Sequence, residues 1–135
     1  MVKTAIVTGA SNGIGKAIKK KKKDDGYFVF KVDIDDANGK SLVSDLGENS
    51  AEYIHCNITS ESEVETMFQS VISKKGKIDI LINNAGILKD NMIHKMPVEH
   101  FDAVIGTNLK GAWLMCRAAA KIMKTQKSGR IVNIS

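Results

Sequence analysis

Five short runs of aliphatic and β-branched residues alternate with segments of helical period, and that alternation leaves few folds open. The strand-like runs are Thr4 to Val7, stopped by Gly9; Phe28, Val29, Phe30 and Val32; Tyr53, Ile54 and Cys56; Ile78 to Ile82, interrupted only by Asp79; and Ile131, Val132 and Ile134. A helical pattern starts at Ile14 with Ala17 and Ile18 and ends near Gly26. Asp35 and Asp36 can cap a second helix that carries Leu42, Val43 and Leu46 and stops at Gly47. Ser60 and Glu63 have capping-box spacing, and Val64, Met67, Phe68, Val71 and Ile72 follow at i, i+3, i+4, i+7 and i+8. Gly76 ends that helix. Pro97 suits the first turn of a long helix whose expected inner stripe is Phe101, Val104, Ile105, Leu109, Ala112, Cys116 and Met123. Strands joined by helices through short connections form βαβ units with right-handed crossovers. The expected fold is therefore α/β: a doubly wound parallel sheet, Rossmann-like, in three layers α/β/α, truncated after the fifth strand, with residues 1–135 as one domain.

Composition narrows the class further. The chain is 43% hydrophobic but only 5% aromatic, a balance that suits a helix-covered parallel sheet better than an all-β binding module. The formal charge of +5 comes from one place, the unbroken run Lys19 to Lys23; setting those five aside leaves 15 basic against 15 acidic residues. A local run is not a patterned basic surface, so nucleic acid is not the expected partner. Cys56 and Cys116 lie far apart with no CxxC and no histidine at zinc-ligand spacing, so neither a disulfide framework nor a metal site is expected. No stretch approaches eighteen consecutive apolar residues, and no separate apolar leader segment stands at the N-terminus. No membrane partner is expected, and the setting reads as cytoplasmic.

Thr8-Gly9-Ala10-Ser11-Asn12-Gly13-Ile14-Gly15 joins the first strand to the first helix. Its glycines permit a tight turn and close approach of a pyrophosphate, met by free N–H groups and the positive end of the helix dipole. The spacing is G-x-x-x-G-x-G, and its place between strand and helix gives the pattern its weight. Eighteen residues beyond Gly15, Asp33 ends the second strand, followed by Ile34. A carboxylate there can accept from both hydroxyls of an adenosine ribose and would repel a 2′-phosphate, which favours NAD while leaving NADP open. The alternative is that Asp33 caps the strand end or the following helix.

Three separated motifs resemble the short-chain dehydrogenase/reductase family. The turn from Thr8 to Gly15 is similar to its cofactor loop, Asn83-Asn84-Ala85-Gly86 to its NNAG element, and Gly129-Arg130-Ile131-Val132-Asn133-Ile134-Ser135 to the strand leading to its active site. The resemblance implies a nicotinamide-dependent oxidoreductase acting on a small carbonyl or secondary alcohol, commonly a tetramer. It implies cofactor contacts at Thr8, Gly9, Ser11, Asn12, Gly13, Ile14 and Gly15, with Asn84, Ala85 and Gly86 lining the way to the nicotinamide. Asn108 matches the family's helical asparagine that supports the proton relay, and is the catalytic candidate; an ordinary polar residue satisfied inside its helix is the other reading. Leu88 to Met92 and Thr107 to Gly111 look most similar to the 3-oxoacyl-carrier-protein reductase branch, which usually prefers NADP. Asp33 argues the other way.

Several features depart from the family pattern. Its catalytic tyrosine and lysine cannot be placed, and Ser135 matches the neighbour of its serine, so the 135 residues alone are expected to be inactive, a dinucleotide-binding fragment. Tyr27 and Lys31 have Y-x-x-x-K spacing, but on a strand four residues span roughly 13 Å, against about 6 Å on a helix. Tyr27 therefore reads as a packing residue. Asn57 stands where relatives commonly carry an aspartate against the adenine; its amide can still address the base edge, with Ile58 packing on the ring. His55, His94 and His100 belong to no motif. Finally, extending Ile14, Ala17 and Ile18 by helical spacing reaches Lys21 and Lys22, positions that should face the sheet. Burying an unpaired ammonium costs on the order of several kcal/mol, so these side chains must snorkel out or the helix must distort. A solvated face, a basic targeting patch or uncertain residue identities would each account for the run.

Overall fold

The computed structural model describes residues 2–9, 17–18, 20–21, 24–47 and 49–134. Five strands lie parallel in the order β3-β2-β1-β4-β5: β1 Lys3–Thr8, β2 Tyr27–Asp33, β3 Ala51–His55, β4 Ile80–Asn83 and β5 Arg130–Asn133. The helices are α1 Asp36–Leu46, α2 Glu61–Lys75, α3 Val98–Ile105 and α4 Ala112–Gln126, with a short 3₁₀ turn at Ile93–Lys95. Between α3 and α4 the helix continues through a π segment, Gly106–Gly111.

Because strand residues alternate faces, the sheet carries two cores. Ile6, Phe30, Val32 and Leu81 pack on one face against Val64, Met67, Phe68 and Val71 of α2 and Leu114, Met115, Ala119 and Met123 of α4. Ala5, Val7, Val29, Ile80 and Ile82 pack on the other against Leu42 and Leu46 of α1, with Ile18 alongside. This is the expected three-layer, Rossmann-like arrangement.

The caps follow the residues that signalled them. Asp35 caps α1 by accepting from the Asn38 N–H at 3.2 Å, and Gly47 closes the helix at φ +90°. Ser60 caps α2 by accepting from the Glu63 N–H at 3.4 Å. The returning arm of the box differs, because Glu63 Oε1 accepts from the Asn57 N–H at 3.2 Å and so ties the end of β3 to the helix.

Three sequence expectations need correction. Of the expected inner stripe of the long helix only Met123 is buried; Val104, Ala112 and Cys116 are half-buried, while Phe101, Ile105 and Leu109 are exposed. The π segment holds more residues per turn than an α-helix, so the phase read from Phe101 is lost by Gly111 and the face formed by Leu114, Met115 and Ala119 turns inward instead. The fourth strand starts at Ile80 and not at Ile78, because the Asp79 carboxylate accepts from the Thr4 N–H at 2.7 Å and the Asp79 N–H donates to Thr4 O at 2.9 Å. Ile78 is a fully buried core residue just outside the ladder. Lys21 does not face the sheet: it is exposed and pairs with Asp25 at 3.3 Å, since the ammonium keeps its water and finds a carboxylate one turn on. Lys19, Lys22 and Lys23 lie outside the described residues.

Candidate functional site

The strand order reverses direction between β1 and β4: the chain moves outward from β1 through β2 to β3, then returns to place β4 on the opposite side. At such a reversal the loops leaving the two neighbouring strands diverge and open a crevice at their carboxyl ends. A cavity of about 270 Å³ occupies that place, lined by Gly9 after β1, Val32 to Asp35 at the end of β2, Cys56 to Ile58 after β3, Ala85 to Ile87 after β4, and Thr107 of the π segment.

Backbone geometry brings these loops together. Gly9 adopts φ +61°, its N–H donates to Val32 O at 3.0 Å, and a Cβ there would lie 2.5 Å from Ala85 Cα. Only glycine lets the β1 and β4 loops approach this closely. Thr8 is wholly buried, and its Oγ1 accepts from both the Asn84 N–H at 3.1 Å and the Ala85 N–H at 2.9 Å. Asn84 Nδ2 donates to Gly9 O at 3.4 Å. Thr8 and Asn84 thus act one layer behind the cavity, holding the residues that line it.

Asn108 serves the same loop from the other side. Its Oδ1 accepts from the Ile87 N–H at 2.8 Å and its Nδ2 donates to Ile87 O at 3.0 Å. Both ends of the amide are therefore engaged with one residue of the Asn84–Ile87 loop, making Asn108 a positioning residue for it. The π segment presents Asn108 and Thr107 here, and Gly111 at its end lets Ile58 in; a Cβ on Gly111 would stand 2.7 Å from Ile58 Cδ1.

Of the residues expected to hold a cofactor, Gly9, Asp33, Ile34, Asn57, Ile58, Ala85 and Gly86 line the cavity. Ser11, Asn12, Gly13, Ile14 and Gly15 lie outside the described residues. Asn57 Oδ1 accepts from the Thr59 N–H at 3.0 Å and from the Thr59 hydroxyl at 2.7 Å, so its amide NH₂ is the end suited to address a base. Ile58 is largely buried and offers only an edge, whereas Ile34 is exposed at the rim. Asp33 Oδ1 accepts from the Ile34 N–H at 2.7 Å and its Oδ2 lies 3.6 Å from Lys31 Nζ.

Sequence reasoning did not single out Val32, Asp35, Cys56, Ile87 or Thr107 as lining residues. Their signal was positional for four of them: Val32, Asp35 and Cys56 lie within two residues of a strand end and Thr107 is next to Asn108, whereas Ile87 lies four residues past β4, directly after the Asn83 to Gly86 motif. Burial pushes the Cys56 thiol up to about 11, the Glu63 carboxylate adding to it, so at neutral pH Cys56 is a protonated, apolar part of the wall. At the outer edge, Asp36 Oδ1 takes a 2.6 Å hydrogen bond from the Tyr53 hydroxyl and lies 2.6 Å from His55 Nδ1. Those hydrogen bonds, Tyr53 first, hold the Asp36 carboxyl below the usual range; burial and then the bond to Asp36 push the Tyr53 phenol above its own. His55, unassigned by sequence, thus braces α1 against β3.

The pocket suits a dinucleotide on its own terms: a carboxylate at a strand end, an amide beside an apolar slot, and small residues at Gly9, Ala85 and Gly86 where a chain of phosphates and sugars would cross. Among the described residues no cluster of histidine, cysteine and carboxylate groups could hold a metal ion, and no helix is long and apolar enough to cross a membrane.

Comparison with known proteins agrees with this fold. A family model described as short chain dehydrogenase matches residues 3–135. The chain is 37% identical to the 3-oxoacyl-(acyl-carrier-protein) reductase FabG of Staphylococcus aureus, a match covering all of this chain and 56% of that protein. It is 37% identical to a 3-oxoacyl-(acyl-carrier-protein) reductase of Synechocystis, over 97% of this chain and 54% of the relative. An uncharacterized oxidoreductase of Mycobacterium bovis is 34% identical over 98% of this chain and 54% of its own length. The chain thus spans a little over half the length of these relatives.

Proposed function

Since this chain belongs to the short-chain dehydrogenase family, we propose that it supplies the nicotinamide-dinucleotide site of an oxidoreductase that moves hydride between the nicotinamide and a carbonyl or secondary alcohol carbon. The observation that carries this reading is the cavity at the reversal between β1 and β4, with Gly9, Asp33 and Gly86 on its walls. When bound, the nicotinamide supplies the hydride; the protein supplies binding, orientation and a proton path. Asp33 receives the adenosine ribose, favouring NAD, and the Asn57 amide with Ile34 and Ile58 borders the adenine. Ala85 and Gly86 leave room for the nicotinamide half, and Asn108 fixes their loop through Ile87.

The names of the relatives point to a 3-oxoacyl group on a carrier protein as the substrate class. Exposed apolar residues, Val98, Phe101 and Ile105 on α3, Leu109 in the π segment and Trp113 on α4, support association of like chains. A cytoplasmic setting is part of the same proposal.

These 135 residues by themselves are read as binding without turning over. Both tyrosines are otherwise placed: Tyr27 shares β2 with Lys31, and the Tyr53 hydroxyl is held by Asp36. Mixing the purified chain with NADH and a 3-oxoacyl thioester should enhance or shift NADH fluorescence with no fall in NADH absorbance. A folded sample that leaves the fluorescence unchanged would remove the binding proposal, and steady NADH consumption would remove the proposal that this segment is inactive.

A further inference from the structure

Lys31 is completely buried in the middle layer, yet it belongs to neither core cluster. In register it stands between Val7 of β1 and Tyr53 of β3. As an odd-numbered residue of β2 it shares a face with Val29 and Asp33, the face covered by α1. Its ammonium lies 3.6 Å from Asp33 Oδ2. The two members of this pair are unequally placed: the lysine is sealed inside, whereas the Asp33 side chain keeps 18% of its surface exposed and opens onto the cavity. An ammonium taken out of water is held there by a nearby carboxylate, and little water intervenes to screen its field.

Asp33 by itself would present one full negative charge to the ribose. With Lys31 directly behind it, this part of the wall presents a nearly neutral pair whose positive end is fixed by the sheet, while the neighbouring Asp35 carboxylate is engaged in capping α1 through Asn38. A ribose with a free 2′-hydroxyl still finds a carboxylate oxygen. A ribose carrying a 2′-phosphate meets much less repulsion than the sequence position of Asp33 implies. Resting on the reading of this cavity as the adenosine-ribose site, we infer that Lys31 is a specificity-determining residue that narrows the preference for NAD over NADP, so that the site accepts both nucleotides.

The sign of the effect is fixed by charge. Removing Lys31 costs a dianionic 2′-phosphate more than a neutral hydroxyl, and removing the Asp33 charge does the reverse. The test is calorimetric titration of the full chain with NADH and NADPH, for the wild type, Lys31→Met and Asp33→Asn, each first checked for folding by circular dichroism. Methionine keeps the length of the lysine stem and is at home in a buried position.

The wild type is expected to bind the two nucleotides within about tenfold of each other. Lys31→Met should widen that ratio at least tenfold through weaker NADPH binding, with NADH changed by less than threefold. Asp33→Asn should shift the ratio at least tenfold toward NADPH, and if Lys31→Met does not fold the wild-type ratio decides: a preference for NADH well beyond tenfold overturns the inference. An unchanged ratio in either folded variant, or equal loss for both nucleotides in Lys31→Met, overturns the role of Lys31 and leaves the site assignment standing. No binding of either nucleotide by folded wild type overturns the site assignment itself, and the inference with it.

Discussion

Gly9→Ala is expected to destabilise the chain by about 2–5 kcal/mol, made up of about 1–2 kcal/mol for a left-handed alanine and about 1–3 kcal/mol for overpacking. The backbone there sits at φ +61°, and the added methyl would lie 2.5 Å from Ala85 Cα and 2.9 Å from its Cβ. The contact is with backbone and not with the far end of a flexible side chain, so the Asn84–Gly86 loop must move. Since that loop is a cavity wall, NADH affinity should fall at least tenfold along with stability. Urea unfolding followed by circular dichroism measures the first effect and fluorescence titration the second. A variant as stable as the wild type would mean that the β1 and β4 loops are not packed against each other as described.

Thr8→Val gives the second large effect by a different route. Valine matches threonine in shape, so packing is kept and only the hydroxyl is lost. The Asn84 and Ala85 N–H groups then lose their shared acceptor. Leaving donors unpaired costs about 1–3 kcal/mol per fully buried group, and because this loop is only half-buried a total of about 2 kcal/mol is expected. The urea midpoint should drop with the slope unchanged, since the surface exposed on unfolding is the same. A change below about 0.5 kcal/mol, the size of an ordinary surface substitution, would show that the hydroxyl does not anchor the loop.

These two residues also mark what the sequence made legible. The order of strands and helices could be read because each element carries its own period and its own stop: Gly9 after β1, Ser60 and Gly76 around α2, Gly47 after α1. Cavity residues at strand ends could be read for the same reason, since a parallel sheet puts those ends in one place. What could not be read depends on contacts between distant segments. A π segment at Gly106–Gly111 changes the face of the long helix, and the pairing of Gly111 with Ile58 that accompanies it has no local signature. Asp79 looked like a flaw in a strand because its partner, the Thr4 N–H, is 75 residues away.

Lys31 illustrates the same limit at the site. A lysine in an apolar run reads as an exposed position, and only the register of β2 between β1 and β3 makes it a buried one. Asp33 was legible as a cavity residue by its place at a strand end, but the charge it presents depends on Lys31 behind it. Asn108 was legible through resemblance alone. Its work, two hydrogen bonds to Ile87, depends on a loop 21 residues earlier.

On the proposed function, a nicotinamide dinucleotide lies across the reversal between β1 and β4. Backbone amide NMR of the isotope-labelled chain, titrated with NADH, tests it at single residues. Occupation of the cavity predicts the largest shifts at Gly9, Asp33, Asn57 and Gly86, with Ile87 following through its bond to Asn108. A well-dispersed spectrum that does not move on titration, or shifts confined to the groove of Phe68, Arg117 and Ala118 between α2 and α4, would contradict it.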